Sequence, residues 1–300
     1  MTQVAQPVAV AIDACSTDCP FCKEDKLLDY KTKHGELKDE GVLRTNLRSS
    51  AQITSDKAVG SIYPLPGGND RTTGWEAKAG VLEDFAVKFA AAPHHIVPGD
   101  AAMEPSRVET WTCADKGGKI KQDIGYNIDC AQNGIFLPHL PEIYFTRHAP
   151  GSKTPMSKFY GQTWKDLSES AKGSIGDVVM SETQLQMHYT DHSAPYAHVN
   201  PDMNYDDECT KECNDLADLM QLFADNAKCK DDTDDKLRPP YPLVHMLNGI
   251  SADVRIRITG FPYQWRSWVS TLAQDLTHAA KQSPDSPRVR MRGLIRRLTD

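Results

Sequence analysis

The sequence predicts an α+β fold from three features: short apolar runs bounded by turn residues, one long amphipathic helix, and no internal repeat. Residues 1–75 read as an irregular N-terminal segment. Within it Lys23–Lys38 has the charge pattern of a short helix, and Ser61–Gly74, rich in Gly, Pro and Thr, reads as a loop or linker. Glu76–Ala92 places Val81, Leu82, Phe85 and Phe89 at helical spacing, which predicts a helix with one face inward. It delivers the chain to Ala92-Pro93-His94-His95-Ile96-Val97, a short apolar run that reads as a strand ended by Pro98-Gly99. Gly117-Gly118 breaks the next segment, and Asn133-Gly134 turns the chain into a second apolar run, Ile135–Pro138. Pro150–Gly176 is polar and turn-rich, the composition of a surface excursion.

Glu208–Cys229 sets Cys209, Cys213, Leu216, Met220, Phe223 and Ala227 on one stripe, the pattern of an amphipathic helix with its cysteines buried as small hydrophobes. Asp231–Asp235 is a solvated loop. Val254, Ile256 and Ile258 alternate with Arg255, Arg257 and Thr259, which predicts a half-buried strand with a basic outer face. Pro262 is expected to open a last helix carrying Trp265, Trp268, Val269, Leu272 and Leu276 inward. The chain thus divides at Glu76, into the N-terminal segment 1–75 and a main domain 76–300.

Composition narrows the function classes. Three hundred residues, 39% hydrophobic and 25% charged, suffice for a substantial core, and no apolar run is long enough to span a membrane. Val8–Ile12 is apolar but has no basic residue before it, so a secretory signal is not expected. A net charge of −7 argues against an indiscriminate nucleic-acid binder, yet the charge is unevenly spread. Acidic residues gather between Asp206 and Asp235. Arg288, Arg290, Arg292, Arg296 and Arg297 form a basic tail able to track phosphates. Among the eight cysteines, Cys15, Cys19 and Cys22 form the one dense group, and Cys19-Pro20-Phe21-Cys22 has zinc-knuckle spacing that His34 could help complete. Reduced, buried thiols are the plainer expectation.

The chemistry concentrates in the histidines. Neighbouring residues of a strand point to opposite faces, so His94 and His95 cannot share one job. One can ligate a metal while the other, with a pKa near neutrality, serves as a base. Downstream, His188-Tyr189-Thr190-Asp191-His192 places two further histidines four residues apart, one helical turn. His139, His148 and His198 belong to no motif. Asp191 fits either a carboxylate behind His192 or a helix N-terminal acid.

The order of these motifs resembles the AHH family of the HNH/endonuclease VII superfamily, ββα-metal nucleases of bacterial polymorphic toxins. The resemblance runs from about Ala90 to Val199. It rests on the His94-His95-Ile96-Val97-Pro98 run, on Gly125–Asp129 leading into Asn133-Gly134-Ile135-Phe136-Leu137-Pro138, and on His188, His192 and Tyr196. Pro93 departs from the family's small residue before the histidines. The interval from Pro138 to His188 is longer than the family's, and Tyr196 comes one residue late.

The resemblance implies a ββα-metal nuclease core with additional helices within residues 76–300. His95 would be the general base, His94 and His192 metal ligands with His188 as a further one, and Asn133 the asparagine that steadies the loop and orients the base. All-histidine ligation points to zinc, with Mg²⁺ or another divalent ion as the alternative. It further implies a DNase toxin, secreted and acting in the cytoplasm of a target cell. Its partners would be DNA, a cognate immunity protein, and a type VI secretion spike or adaptor docking on residues 1–75.

Two other classes compete. One is a zinc-stabilised, non-catalytic interaction module in which the same histidines and the cysteines close a structural site. The other is a zinc hydrolase acting on peptide or another substrate, for which the absence of His-Glu-x-x-His counts against.

Overall fold

The computed structural model describes residues 19–22, 32–33, 38–50, 75–78, 85–115, 117–145, 169–188, 192–227 and 235–282. Its elements are mixed. Helix α1 (Glu40–Ser50) precedes strands β1 (Trp75–Lys78), β2 (Phe85–His95) and β3 (Gly134–Phe145). Helices α2 (Glu169–Thr183), α3 (Tyr205–Asn226), α4 (Leu243–Ile258) and α5 (Thr271–Gln282) follow. The fold is α+β, with one antiparallel sheet in the order β1-β2-β3. Among the described residues no helix is long and apolar enough to cross a membrane.

The chain forms two compact units that interleave in sequence. The first comprises residues 1–38, 99–128 and 209–250. Its core gathers Phe21, Met103, Val108, Trp111, Ile120, Ile124 and Tyr126 with the stripe Cys209, Cys213, Leu216, Ala217 and Met220 of α3. That stripe matches the predicted one at Cys209, Cys213, Leu216 and Met220, with both cysteines buried, whereas Phe223 and Ala227 are only half-buried. Thr32 and Lys33 are tied in by the Thr32 hydroxyl, which donates to the Thr112 carbonyl (2.8 Å), and by Lys33 N–H, which donates to the Tyr126 carbonyl (2.7 Å).

The second unit comprises residues 39–98, 129–208 and 251–300 and contains the sheet. Trp75–Lys78 of β1 pairs with Ala86–Phe89 of β2. β2 then pairs with β3 along its length, from Phe85 opposite Phe145 to His95 opposite Gly134, with a register shift between Lys88 and Ala90. Pro141, which has no N–H for a ladder, falls in that shift. Among the described residues β1 pairs with β2 as far as Phe89, and the histidine end of β2, Pro93 included, pairs with β3. Helix α1 covers β2 and β3 with Leu43 and Leu47, both fully buried. A Cβ at Gly134 would lie 2.5 Å from Leu43 Cδ1, so glycine is what lets β3 begin beneath this helix.

A carboxylate pins three segments. Glu208 Oε1 accepts from Arg257 Nη1 (2.7 Å) and from the Ser267 hydroxyl (2.8 Å), and Oε2 accepts from the Tyr196 hydroxyl (2.8 Å). Tyr196, Trp265, Trp268, Val269 and Leu276 are buried in the same unit.

Several expectations are corrected. Within Glu76–Ala92 the described residues form β1 and most of β2 rather than a helix. Phe85, Val87 and Phe89 also fit a period of two, and the long ladder to β3 outweighs the helical preference of the alanines. Val254–Ile258 is the end of α4, not a strand. Val254 and Ile258, four apart, are buried, whereas Ile256, which alternation would bury with them, is 63% exposed. A five-residue window cannot separate these periods when the preceding Leu243 and Leu247 are left out of it. Residues 40–50 form α1 within a segment expected to be irregular, and Glu169–Gly176 opens α2 within the expected surface excursion. Pro262 begins only a short 3₁₀ turn (Pro262–Gln264), and the last helix starts at Thr271. Trp265, Trp268 and Val269 are nevertheless buried as predicted. Cys15, His34, most of Lys23–Lys38 and the five tail arginines lie outside the described residues.

Candidate metal centre

Alternation at the end of β2 separates the two histidines. His94, 2% exposed, meets His188 and His192, whereas the His95 ring turns to Asp129. One potential ligand atom from each of His94, His188 and His192 lies within 4.8 Å of the others. The ring centroids are 4.8 to 5.2 Å apart. The expected His94, His188 and His192 are therefore brought together, although His188 and His192 sit outside any helix.

Local structure explains how they converge. After α2, Gln184 takes a left-handed conformation (φ 56°) and reverses the chain. The Gln186 side chain donates to the Ser267 carbonyl (2.7 Å) and accepts from Val269 N–H (2.8 Å), fixing the returning segment. His188 N–H then donates to the Pro138 carbonyl (2.9 Å), and the His188 carbonyl accepts from His139 Nδ1 (2.6 Å), which holds His188 along β3. The His192 carbonyl accepts from Tyr205 N–H (3.3 Å) at the start of α3, and the Tyr205 hydroxyl donates to the Ile96 carbonyl (2.6 Å).

This donor set fits a divalent metal. His188 Nε2 and His192 Nε2 face each other at 3.1 Å. Two nitrogens on a tetrahedral zinc with bonds of about 2.0–2.1 Å stand roughly 3.3 Å apart. His94 Nε2 is buried with no hydrogen-bond partner among the described residues, a costly arrangement unless a cation uses the lone pair. Burial above all, then the neighbouring His192, His188 and His95, holds the His94 pKa well below its usual value. Burial, followed by His192 and His139, lowers that of His188 to about 3. Both rings are neutral at neutral pH, the form that ligates metal. Among the described residues three side chains offer ligand atoms here, enough to hold a metal ion.

His95 makes a separate pair. Its Nε2 lies 3.0 Å from Oδ1 of the fully buried Asp129. That oxygen also accepts from Asp39 N–H (2.8 Å), and the Asp129 carbonyl accepts from Asn46 Nδ2 (2.8 Å), so α1 and its entry hold the aspartate. The carboxylate fixes the proton on Nε2 and leaves Nδ1, which has no partner among the described residues, as the basic nitrogen. Asp129 is the residue the sequence analysis missed as a participant. Its signal was its place at the end of Gly125–Asp129, four residues before Asn133.

Asn133 is fully buried and faces backbone rather than the cluster. Its Oδ1 accepts from Val97 N–H (2.9 Å) and the Ser251 hydroxyl (2.8 Å), and its Nδ2 donates to the Val97 carbonyl (3.1 Å). Its own carbonyl accepts from Ile96 N–H (2.8 Å). It thus clamps the chain just beyond His95. Arg255, expected on an open basic face, instead donates through Nη2 to the carbonyls of Ala131 (3.3 Å), Gln132 (2.8 Å) and Gly134 (3.0 Å), bracing the same turn. Tyr196 is core, edge-on to Trp268, and His198 pairs with Asp275 at 3.1 Å and stacks on His278. His148 and Asp191 lie outside the described residues. Among the described residues, no other group of three His, Cys, Asp or Glu has metal-binding geometry.

No model of a known protein family matches the chain, and no curated protein or solved structure is similar to it.

Proposed function

We propose that the chain is a metal-dependent phosphodiesterase of the ββα-metal type that cleaves DNA. The observation that carries this is the division of labour between adjacent histidines, His94 toward the His188/His192 cluster and His95 toward Asp129. β2 and β3 would supply the strand pair of the core, and the segment between α2 and α3 would supply ligands that this nuclease type takes from a helix. His94, His188 and His192 would hold the ion, with zinc suiting three imidazoles best. When bound, a divalent cation supplies charge withdrawal from the scissile phosphate and its leaving oxygen.

His95 accepts a proton from water at Nδ1, and the oxygen so activated attacks phosphorus as the bond to the leaving oxygen breaks. Asp129 keeps the ring in the tautomer that makes Nδ1 basic and stabilises the imidazolium that forms. Asn133 and Arg255 hold the turn that fixes His95. The resemblance extends the proposal to an interbacterial toxin, delivered through a spike or adaptor and neutralised by an immunity protein.

The test is plasmid cleavage by wild type and His95→Ala, with zinc content and folding measured on both. Loss of a general base costs about 10²–10⁴-fold. His95→Ala is expected to fall by that factor with zinc and fold retained, and chelator is expected to silence the wild type. Cleavage by folded His95→Ala at the wild-type rate would overturn the assignment.

A further inference from the structure

We infer that Asp206 is the positioning residue of the metal centre, selecting the His192 tautomer that turns Nε2 toward His188; this rests on the metal-site reading above. The Asp206 carboxylate and the His192 ring are largely buried, at 13% and 17% side-chain exposure, with Oδ1 3.5 Å from Nδ1. That oxygen is buried and makes no hydrogen bond among the described residues, and the His192 Nδ1 at 3.5 Å is its ion-pair contact. The opposite nitrogen of the same ring, Nε2, is the one 3.1 Å from His188 Nε2. A proton on Nδ1, facing the carboxylate, leaves the Nε2 lone pair for a cation.

The backbone fixes Asp206 for this task. Tyr205, its neighbour, bonds both to the His192 carbonyl and to the Ile96 carbonyl just past His94 and His95, so the first turn of α3 is anchored to two of the ligand-bearing segments. The alternative role for Asp206 is that of any acid in a helix first turn, where it favours the positive end of the dipole. Asp207 offers that role alone. It stands in the same turn, is exposed, and its N–H is capped by Asn204 Oδ1 at 2.8 Å.

The experiment compares Asp206→Ala with Asp207→Ala in the full chain. Zn²⁺ affinity is measured by competition with a chromophoric chelator, and the His192 tautomer by imidazole ¹⁵N shifts in metal-free protein. Asp206→Ala is expected to weaken zinc binding about 10–100-fold and to abolish the Nδ1–H preference of His192. Asp207→Ala is expected to leave both at wild type. Wild-type affinity and tautomer in Asp206→Ala, or equal losses in the two variants, would overturn the inference. If Asp206→Ala does not fold, Asp206→Asn removes the charge at constant shape and is expected to weaken zinc several-fold; unchanged affinity there refutes the role. Failure of the wild type to bind zinc overturns the metal-site reading instead, while the ¹⁵N shifts still decide the Asp206–His192 pairing.

Discussion

Replacing Asn133 with alanine removes the three side-chain hydrogen bonds that tie the end of β2 to the turn before β3 and to Ser251. Each bond contributes about 0.5–1.5 kcal/mol net, and the upper half of that range applies here because Val97 N–H, the Val97 carbonyl and the Ser251 hydroxyl lose a buried partner. The loss is expected at about 3–4 kcal/mol, a large part of an ordinary folding stability of about 5–15 kcal/mol. At about 2–4 °C per kcal/mol, Tm falls by roughly 6–16 °C. Calorimetry of the metal-free protein measures this, and zinc titration of the folded variant measures the cost to the site. Asn133→Asp keeps an acceptor for Val97 N–H but loses the donor to the Val97 carbonyl and buries a charge, so it is expected to be at least as damaging. A Tm within about 2 °C of wild type for Asn133→Ala would refute the clamp and reopen a direct role for Asn133 in chemistry.

His94→Ala, His188→Ala and His192→Ala are each expected to lose bound zinc on dialysis; retention of a full equivalent by any two, read by elemental analysis, would refute the ligand set. Because the folded-state pKa of His188 is lowered to about 3, the unfolded chain binds a proton there that the folded chain does not between pH 6.5 and about 3. Metal-free stability therefore falls as pH drops below 6.5, by about 2 kcal/mol at pH 5 from this residue alone. Urea titrations with m unchanged check this, and a flat profile would refute it. Burial pushes the Cys213 thiol up to about 12, so iodoacetamide at pH 8 is expected to leave it unmodified in native protein; peptide mapping that finds it alkylated before unfolding would contradict the buried stripe. Replacing Arg288, Arg290, Arg292, Arg296 and Arg297 with glutamine is expected to flatten log affinity against log salt by about 0.9 per lost phosphate contact on duplex DNA, and an unchanged slope would reduce the tail to solvated surface.

The site was more legible than the scaffold. Two adjacent histidines at a strand end divide by simple alternation, and that local rule holds at His94 and His95. His188 and His192 were found by a spacing that implied a helix, yet they meet through a loop. What brings them together is the left-handed turn at Gln184 together with contacts distant in sequence, the Gln186 anchors at Ser267 and Val269 and the Tyr205 bond to His192. Asp129 stands at the end of the Gly125–Asp129 stretch, but only the fold sets it beside His95. In the scaffold, the α3 stripe was readable because it persists over many turns. Phe85–Ala92 and Val254–Ile258 were misassigned because short apolar windows satisfy both periods, and the partner that decides between them, β3 or the rest of α4, lies outside the window.

The two histidines of β2 are chemically identical, so nothing in either side chain decides which joins the cluster and which meets Asp129. Only the phase of the strand decides. Sliding β2 by one residue against β3 would turn both rings to the opposite faces, putting one histidine in the other's place and Pro93 or Ile96 in its own. The slack available for such a slip is the irregularity between Lys88 and Ala90, and what resists it is the grip of Asn133 on Ile96 and Val97. A single-codon insertion that shifted this phase would keep every residue of the candidate site, leave composition and charge almost untouched, and still break the division between the two rings.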